Sequence, residues 1–221
     1  GNTANIDATL GTLIISNNAS GAIVRTGSGH IIGNLQRAIA TGANIYLYPV
    51  GVGASYTPAS LAFTSVGTGG NITVLCSNGT AGDYTSYGLS ASKYVNRNWL
   101  VTNSGVASFS ANATFTYVAG DLVGSATAGN IKVAKFDSPN WTYPTTTTGA
   151  LSFTANSITS FSKFTGGECG TVTASASSNS PLCAGNNLNL TSSASGGTGT
   201  YTYSWAGPSF SASTQNPTIT S

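Results

Sequence analysis

Three observations predict an all-β chain. Apolar residues recur at every second position in several stretches, whereas the three-to-four spacing of an amphipathic helix fits almost nowhere. Gly and Asn interrupt these stretches at short intervals, as they do between strands of sandwiches and solenoids, and 28 of the 221 residues are Gly. Eight Phe, ten Tyr and three Trp in a 40% apolar composition supply enough bulk for packed cores.

Taken in order, residues 1–29 read as short apolar runs separated by turns, as in LGTLIISNNASGAIVRTGSG. This rhythm predicts the end of a β-solenoid, whose rungs bury their faces only against neighbours. Residues 30–168 hold longer alternating runs and are expected to form a β-sandwich. Residues 35–40 also fit a helix, but with Gly33 and Gly42 close by they read equally as a strand, so essentially no helix is expected. Ile72, Val74 and Cys76 share one strand face, as do Val95, Arg97, Trp99 and Val101. In the clearest stretch, Phe109, Ala111, Ala113, Phe115 and Tyr117 face inward, opposite Ser108, Ser110, Asn112, Thr114 and Thr116. Residues 169–221 open on TVTASASSNSP, a shift in composition that marks a linker or a first strand. Tyr201, Tyr203 and Trp205 then share a face opposite Thr200, Thr202 and Ser204, with Trp205 a structural anchor. An immunoglobulin-like sandwich takes about 100 residues and seven strands. A partial sandwich of this kind is therefore predicted, with an open edge that is a template for pairing.

Only 5% of the residues are charged, against roughly 25% in ordinary domains. Disorder is excluded, because it requires low hydrophobicity with high net charge, and the net charge here is +2. Nucleic acid is not an expected partner, since the seven basic residues stand singly instead of clustering. No apolar run approaches the roughly 18–20 residues of a membrane-spanning helix. No basic-then-apolar signal segment opens at Gly1, so the sequence reads as a mature form or a piece of a longer protein. Three Cys and a surface rich in Ser, Thr, Asn and Gly suit an extracellular setting, where the protein is expected to reside.

Few groups can titrate or coordinate: His30, the acids Asp7, Asp83, Asp121, Asp137 and Glu168, and the cysteines. His30 has no second His or Cys-x-x-Cys to complete a zinc site, and no Gly-x-Ser-x-Gly elbow supplies a nucleophile. The acids sit in turn-like contexts where Asp caps its own backbone, and no Asp-x-Asp-x-Asp cluster offers calcium a site. No catalytic residue, cofactor or metal is expected, and the chain is not expected to be an enzyme. Arg97, placed inward beside Trp99, must be paired or stacked. It reads as a structural anchor, its stem against Trp99 and its head on a carboxylate such as Asp121 or a row of carbonyls. The functional alternative is contact with a sugar or a partner. Trp141 and Tyr143 in SPNWTYP, and Tyr84 and Tyr87 in DYTSY, are candidates for stacking on a glycan, with burial in a core the alternative. Cys169 and Cys183 could close a disulfide loop of about 15 residues, or one could pair with a cysteine outside this sequence. Cys76 reads as a buried free thiol.

The runs GSGHIIGNLQRAIATGANIYLYPVG, YTPASLAFTSVGTGGNITV, SKYVNRNWLVTNSG and SITSFSKFTGGE resemble a module of very large, adhesin-like secreted surface proteins of the Bacteroidetes. The segment SPLCAGNNLNLTSSASGGTGTYTYSWAGPSFSASTQNPTI is similar to the immunoglobulin-like or polycystic-kidney-disease-like repeats that follow such modules. The resemblance implies a cell-surface location, adhesion, and export through the type IX secretion system. The expected function is thus that of an extracellular structural or adhesive segment of a large surface protein or fibre, providing spacing, display and surface attachment. A carbohydrate-binding module and a fibre protomer assembled by strand complementation are the alternatives. Expected partners are copies along a fibre, neighbouring repeats of the same chain, or surface glycans, with no nucleic acid and no membrane span.

Overall fold

The computed structural model describes residues 4–80, 88–197 and 200–220. Among the described residues there are twenty strands, three short 3-10 turns (Ser20–Ala22, Ala119–Asp121 and Ala128–Asn130) and no α-helix. The ambiguous stretch at residues 35–40 is strand, because Leu35, Arg37 and Ile39 alternate inward with more exposed residues between them.

The largest sheet contains β1 (Ile6–Ile15), β2 (Ile31–Ile39), β4 (Val50–Val52), β5 (Ser55–Tyr56), β7 (Gly70–Asn78), β8 (Leu89–Tyr94), β9 (Arg97–Ser104), β11 (Lys132–Asp137), β12 (Asn140–Thr142) and β15 (Lys163–Cys169). Its main order is β12-β11-β15-β9-β7-β2-β4-β5, with β1 paired to β2 and β8 to β15. A second sheet runs β13 (Thr146–Thr148), β14 (Ser152–Ile158), β10 (Ala107–Thr116), β6 (Ala59–Thr68) and β3 (Asn44–Tyr48).

Both sheets contribute to one core. From the larger come Leu35, Ile72, Val74, Trp99, Val101 and Phe164, and from the other Tyr46, Leu61, Phe63, Phe115 and Phe153, all buried. The Trp99 ring lies 5.1 Å from Phe115 and edge-on to Phe153 at 5.6 Å, and its indole N–H donates to the Thr57 carbonyl at 2.9 Å. That hydrogen bond lets a large amphipathic ring be fully buried without an orphaned donor. Gly166 on β15 admits this packing, because a Cβ there would fall 2.7 Å from Ile131 and 2.8 Å from Phe153. The inward faces read from alternation in β7, β9 and β10 are all buried.

The first 29 residues do not stand apart. Strand β1 lies parallel to β2, Ile6 opposite Ile31 and Ile15 opposite Arg37, with an irregularity between Ala8 and Thr12. Its Ala8, Leu13 and Ile15 pack against the common core. Gly33, at φ +107°, permits the close approach: a Cβ there would lie 2.5 Å from the Ala8 backbone.

Beyond Cys169 the strands are shorter. β16 (Thr173–Ser178) pairs antiparallel with β17 (Leu188–Ser195), which pairs with β20 (Thr218–Ile219). β18 (Trp205–Gly207) and β19 (Phe210–Ala212) form a hairpin. Tyr201 and Tyr203 precede β18 instead of lying in a strand, although Tyr201 is the more exposed and Tyr203 and Trp205 are half-buried. The Trp205 indole N–H donates to the Thr214 carbonyl at 3.1 Å, tying down the ring as an anchor.

Candidate functional site

The buried charges are where chemistry would have to reside. Arg97 opens β9 on the inward face and is 3% exposed. Its Nε and Nη2 donate to the two Asp121 carboxylate oxygens at 3.1 and 2.6 Å, and Nη1 donates to Asn78 Oδ1 at 2.5 Å. Asp121 also accepts the Val118 N–H at 3.0 Å, which closes the 3-10 turn that presents the carboxylate. This two-pronged geometry uses the guanidinium fork fully. The expected anchor with Asp121 is therefore present.

Arg37 is a second internal guanidinium, fully buried on β2. Its Nη1 donates to the Leu47 carbonyl at 2.8 Å, and Nη2 to the Ala19 and Ser20 carbonyls at 3.1 and 2.9 Å. The head lies 5.0 Å from the centre of the Tyr46 ring, and burial draws its pKa below the ordinary value. The Tyr46 hydroxyl donates to the Asn18 carbonyl at 3.0 Å. Together the two side chains fasten the β1–β2 crossover to β2 and β3. The row of carbonyls considered for Arg97 is thus realised at Arg37, which the sequence reading had passed over.

Lys135, 4% exposed, donates to both Asp137 oxygens at 2.8 and 2.7 Å and to Ser160 Oγ at 2.6 Å. Glu168 accepts the Thr127 N–H at 2.6 Å, and its other oxygen lies 3.5 Å from Lys93 Nζ. Glu168 is thus committed to neighbours on other segments, and Asp137 to Lys135 on its own strand, from which Lys135 reaches across to Ser160. No group of three His, Cys, Asp or Glu able to hold a metal ion occurs among the described residues.

His30, 5% exposed, sits where β1, β2 and the β4–β5 hairpin meet. Its backbone N–H donates to Asn5 Oδ1 at 3.0 Å, and its carbonyl accepts the Ile6 N–H at 3.0 Å. The ring packs against Gly51, where a Cβ would lie 2.5 Å from Cδ2, and its Nε2 has no hydrogen-bond partner. Burial holds its pKa below the ordinary value of 6.5. Among the described residues, no nucleophile or carboxylate is hydrogen-bonded to the ring.

The aromatic candidates for a sugar platform are not brought together as one. Trp141 is 9% exposed, in a small cluster with Leu89 and Ala134, its ring 4.8 Å from Phe136. Of the two readings of Trp141, stacking on a glycan or burial in a core, the structure has the buried one: β11 and β12 form a hairpin with Phe136 opposite Trp141, which covers the indole. Tyr143 is half-buried at the same cluster. Tyr84 and Tyr87 lie outside the described residues. Cys169 and Cys183, one of the two pairings considered, are both exposed and are not joined to each other in this structure: one ends β15, the other lies in the loop before β17. Cys76 is buried with its Sγ 3.0 Å from Thr57 Oγ1, and burial pushes the thiol up to about 11.

The concave feature at the chain's other end is a groove of about 420 Å³, formed where β16 and β17 face the 201–205 segment. Ala174, Ala176, Ala194, Tyr201, Tyr203 and Trp205 line it. No known protein family, curated protein or solved structure matches the chain.

Proposed function

We propose that the chain is an extracellular structural and adhesive segment of a large cell-surface protein or fibre. Its work is spacing and display, and it is not an enzyme. The observation that carries this reading is the use of the buried charges. Arg97 and Asp121 serve each other, Arg37 serves backbone carbonyls, Lys135 serves Asp137 and Ser160, and Glu168 serves a backbone N–H. These groups join strands and turns, as expected where cohesion is the product. The surface supports the same reading, because little charge must be desolvated when such modules pack side by side.

In this reading residues 1–29 are the end of a β-solenoid, a role supported by the parallel pairing of β1 with β2. Residues 30–168 are a β-sandwich, supported by two sheets that share a core. Residues 169–221 are a partial immunoglobulin-like sandwich, supported by short sheets around an open groove. The resemblance to adhesin-like Bacteroidetes modules points to export by the type IX route.

Immuno-electron microscopy of intact source cells tests the proposal. Antibody against the chain is expected to decorate the outer surface of unpermeabilised cells. Label that emerges only after permeabilisation would refute it.

A further inference from the structure

The strand registers bring the chain into and out of the core at one pole. Ile6 on β1 lies opposite Ile31 at the start of β2, and Asn78 at the end of β7 lies opposite Arg97 at the start of β9. Because β2 with β7, β7 with β9, and β9 with β15 all pair antiparallel, Ile31, Asn78, Arg97 and Cys169 share that pole. Ile39, Gly70 and Ser104 mark the opposite one, about 25 Å away along the nine-residue β7, and Thr68 and Ala107 belong with them. Whatever precedes β1 or follows β15 thus joins the core at the first pole, and the second is its tip.

At the tip, the start of β10, the turn before it, Ser65 and residues 159–161 line a cleft of about 540 Å³. Two of its rings are stacked: Phe109 and Phe161 lie 4.8 Å apart and nearly parallel at 10°, with Phe63 edge-on to both at 5.7 and 6.0 Å. Phe109 is buried and Phe161 half-buried, so the stack is braced from within and part of Phe161 is left to the cleft. Ser65, Ser108, Ser110 and Thr159 also line it, and none of their hydroxyls is hydrogen-bonded among the described residues. Elsewhere strand hydroxyls pair off, as Thr114 does with Thr154 and Ser175 with Ser193. Ser108 moreover holds φ at +53°, a conformation that strains any residue with a Cβ, and Gly67 makes room for it, since a Cβ there would lie 2.9 Å from that of Ser108. Glycine would take that backbone conformation without strain, so the side chain kept at residue 108 points to a use for its hydroxyl.

We propose that this cleft binds a neutral oligosaccharide, a sugar face resting on the Phe161–Phe109 stack and the sugar hydroxyls exchanging hydrogen bonds with Ser65, Ser108, Ser110 and Thr159. The C–H face of a pyranose suits an aromatic surface, and its hydroxyls both donate and accept, as those of serine and threonine do. No charged side chain lines the cleft, so a carboxylate, sulfate or phosphate would lose water there without gaining a partner. Lys135 reaches Ser160 from beside the cleft and is already met by Asp137. An extended peptide finds no open ladder either, because β10 is paired on one edge with β6 and on the other with β14. The volume is that of a small-molecule site. This deepens the proposed adhesive role, on which it rests, by naming the class of ligand. The two claims fail separately, since immuno-electron microscopy decides the location and titration decides the ligand.

Titration calorimetry on the 221-residue chain is the test, with oligosaccharides of glucose, galactose, mannose and xylose as probes and sulfated or uronic-acid oligosaccharides as charged controls. At least one neutral probe is expected to bind with equimolar stoichiometry and in preference to the charged controls. Ser108→Gly should weaken that binding about three- to tenfold, the worth of one hydrogen bond, while Tm holds or rises as the backbone strain is relieved. Phe161→Ala, its fold verified by circular dichroism, should weaken binding by about tenfold or more. Tyr201→Ala, in the groove beyond β15, should bind as the unmodified chain does. Absence of binding to every neutral probe would overturn the proposal, as would preference for the charged controls. So would unchanged affinity in Ser108→Gly, or a fall in its Tm, which would mean that the side chain serves the fold instead of a ligand.

Discussion

Replacing Arg97 with Ala isolates the principal charge pair of the fold. The substitution removes the donors at 3.1 and 2.6 Å from Asp121 and the donor at 2.5 Å from Asn78. Asp121 is 6% exposed in the intact chain, where the Val118 N–H is its one side-chain hydrogen bond that does not come from Arg97. Stranding one member of a buried ion pair costs about 3–5 kcal/mol, because the remaining charge has lost both its partner and its water. For a chain of this size each kcal/mol moves Tm by roughly 2–4 °C, so a fall of about 6–20 °C is expected. Urea unfolding followed by Trp fluorescence measures the free energy, with Trp99 in the same core as a reporter, and calorimetry gives Tm. The double variant Arg97→Met with Asp121→Leu should lose much less than the two single changes combined, because no charge is left stranded. A single-variant loss below about 1 kcal/mol, or strict additivity in the double, would refute the assignment of this pair as an internal anchor.

Arg37→Met should destabilise by about 2–5 kcal/mol, as the Leu47, Ala19 and Ser20 carbonyls lose a charged donor; hydrogen exchange should quicken first at residues 18–22, and unchanged exchange there would contradict the clamp. His30 is held below its unfolded pKa of 6.5 by burial, so the unfolded chain binds more protons as pH falls. Stability should therefore be complete above pH 6.5 and decline below it, and urea titrations should find a shallower decline in His30→Gln. Cys76, pushed up to about 11, should resist iodoacetamide in the native state at pH 8 while exposed Cys183 is alkylated, as peptide mass spectrometry can read. Gly166→Ala should cost about 1–3 kcal/mol by forcing Ile131 and Phe153 apart, and a neutral result would mean the sheets can separate freely.

Period-two alternation made β7, β9 and β10 legible, because a strand with one buried face leaves that signature in its sequence. The same rule exposed Arg97, and the scarcity of acids narrowed its partner to a few, Asp121 among them. Arg37 obeys the rule equally, with Leu35 and Ile39 on either side of it on the inward face, but it lay in the one stretch that also fitted a helix. Its carbonyl partners at Ala19, Ser20 and Leu47 belong to turns and a strand end, and backbone acceptors carry no sequence signal. The attachment of β1 to the main sheet was equally hidden. Parallel partners lie some 25 positions apart, Ile6 against Ile31, and nothing local announces the pairing. The sequence left Trp141 open between a stacking ring and a core ring, because Pro139 and Pro144 flank it; the residues between them include a short strand that turns the indole onto Phe136.

Stretching single molecules between handles at the two termini tests the central claim most directly, since cohesion under load is the activity assigned to this chain. Residues 6–169 should yield in one cooperative event, releasing a contour length on the order of 550 Å, and Arg97→Ala should lower the rupture force. Gradual extension at low force, with no distinct rupture and no difference between the unmodified and Arg97→Ala chains, would contradict it.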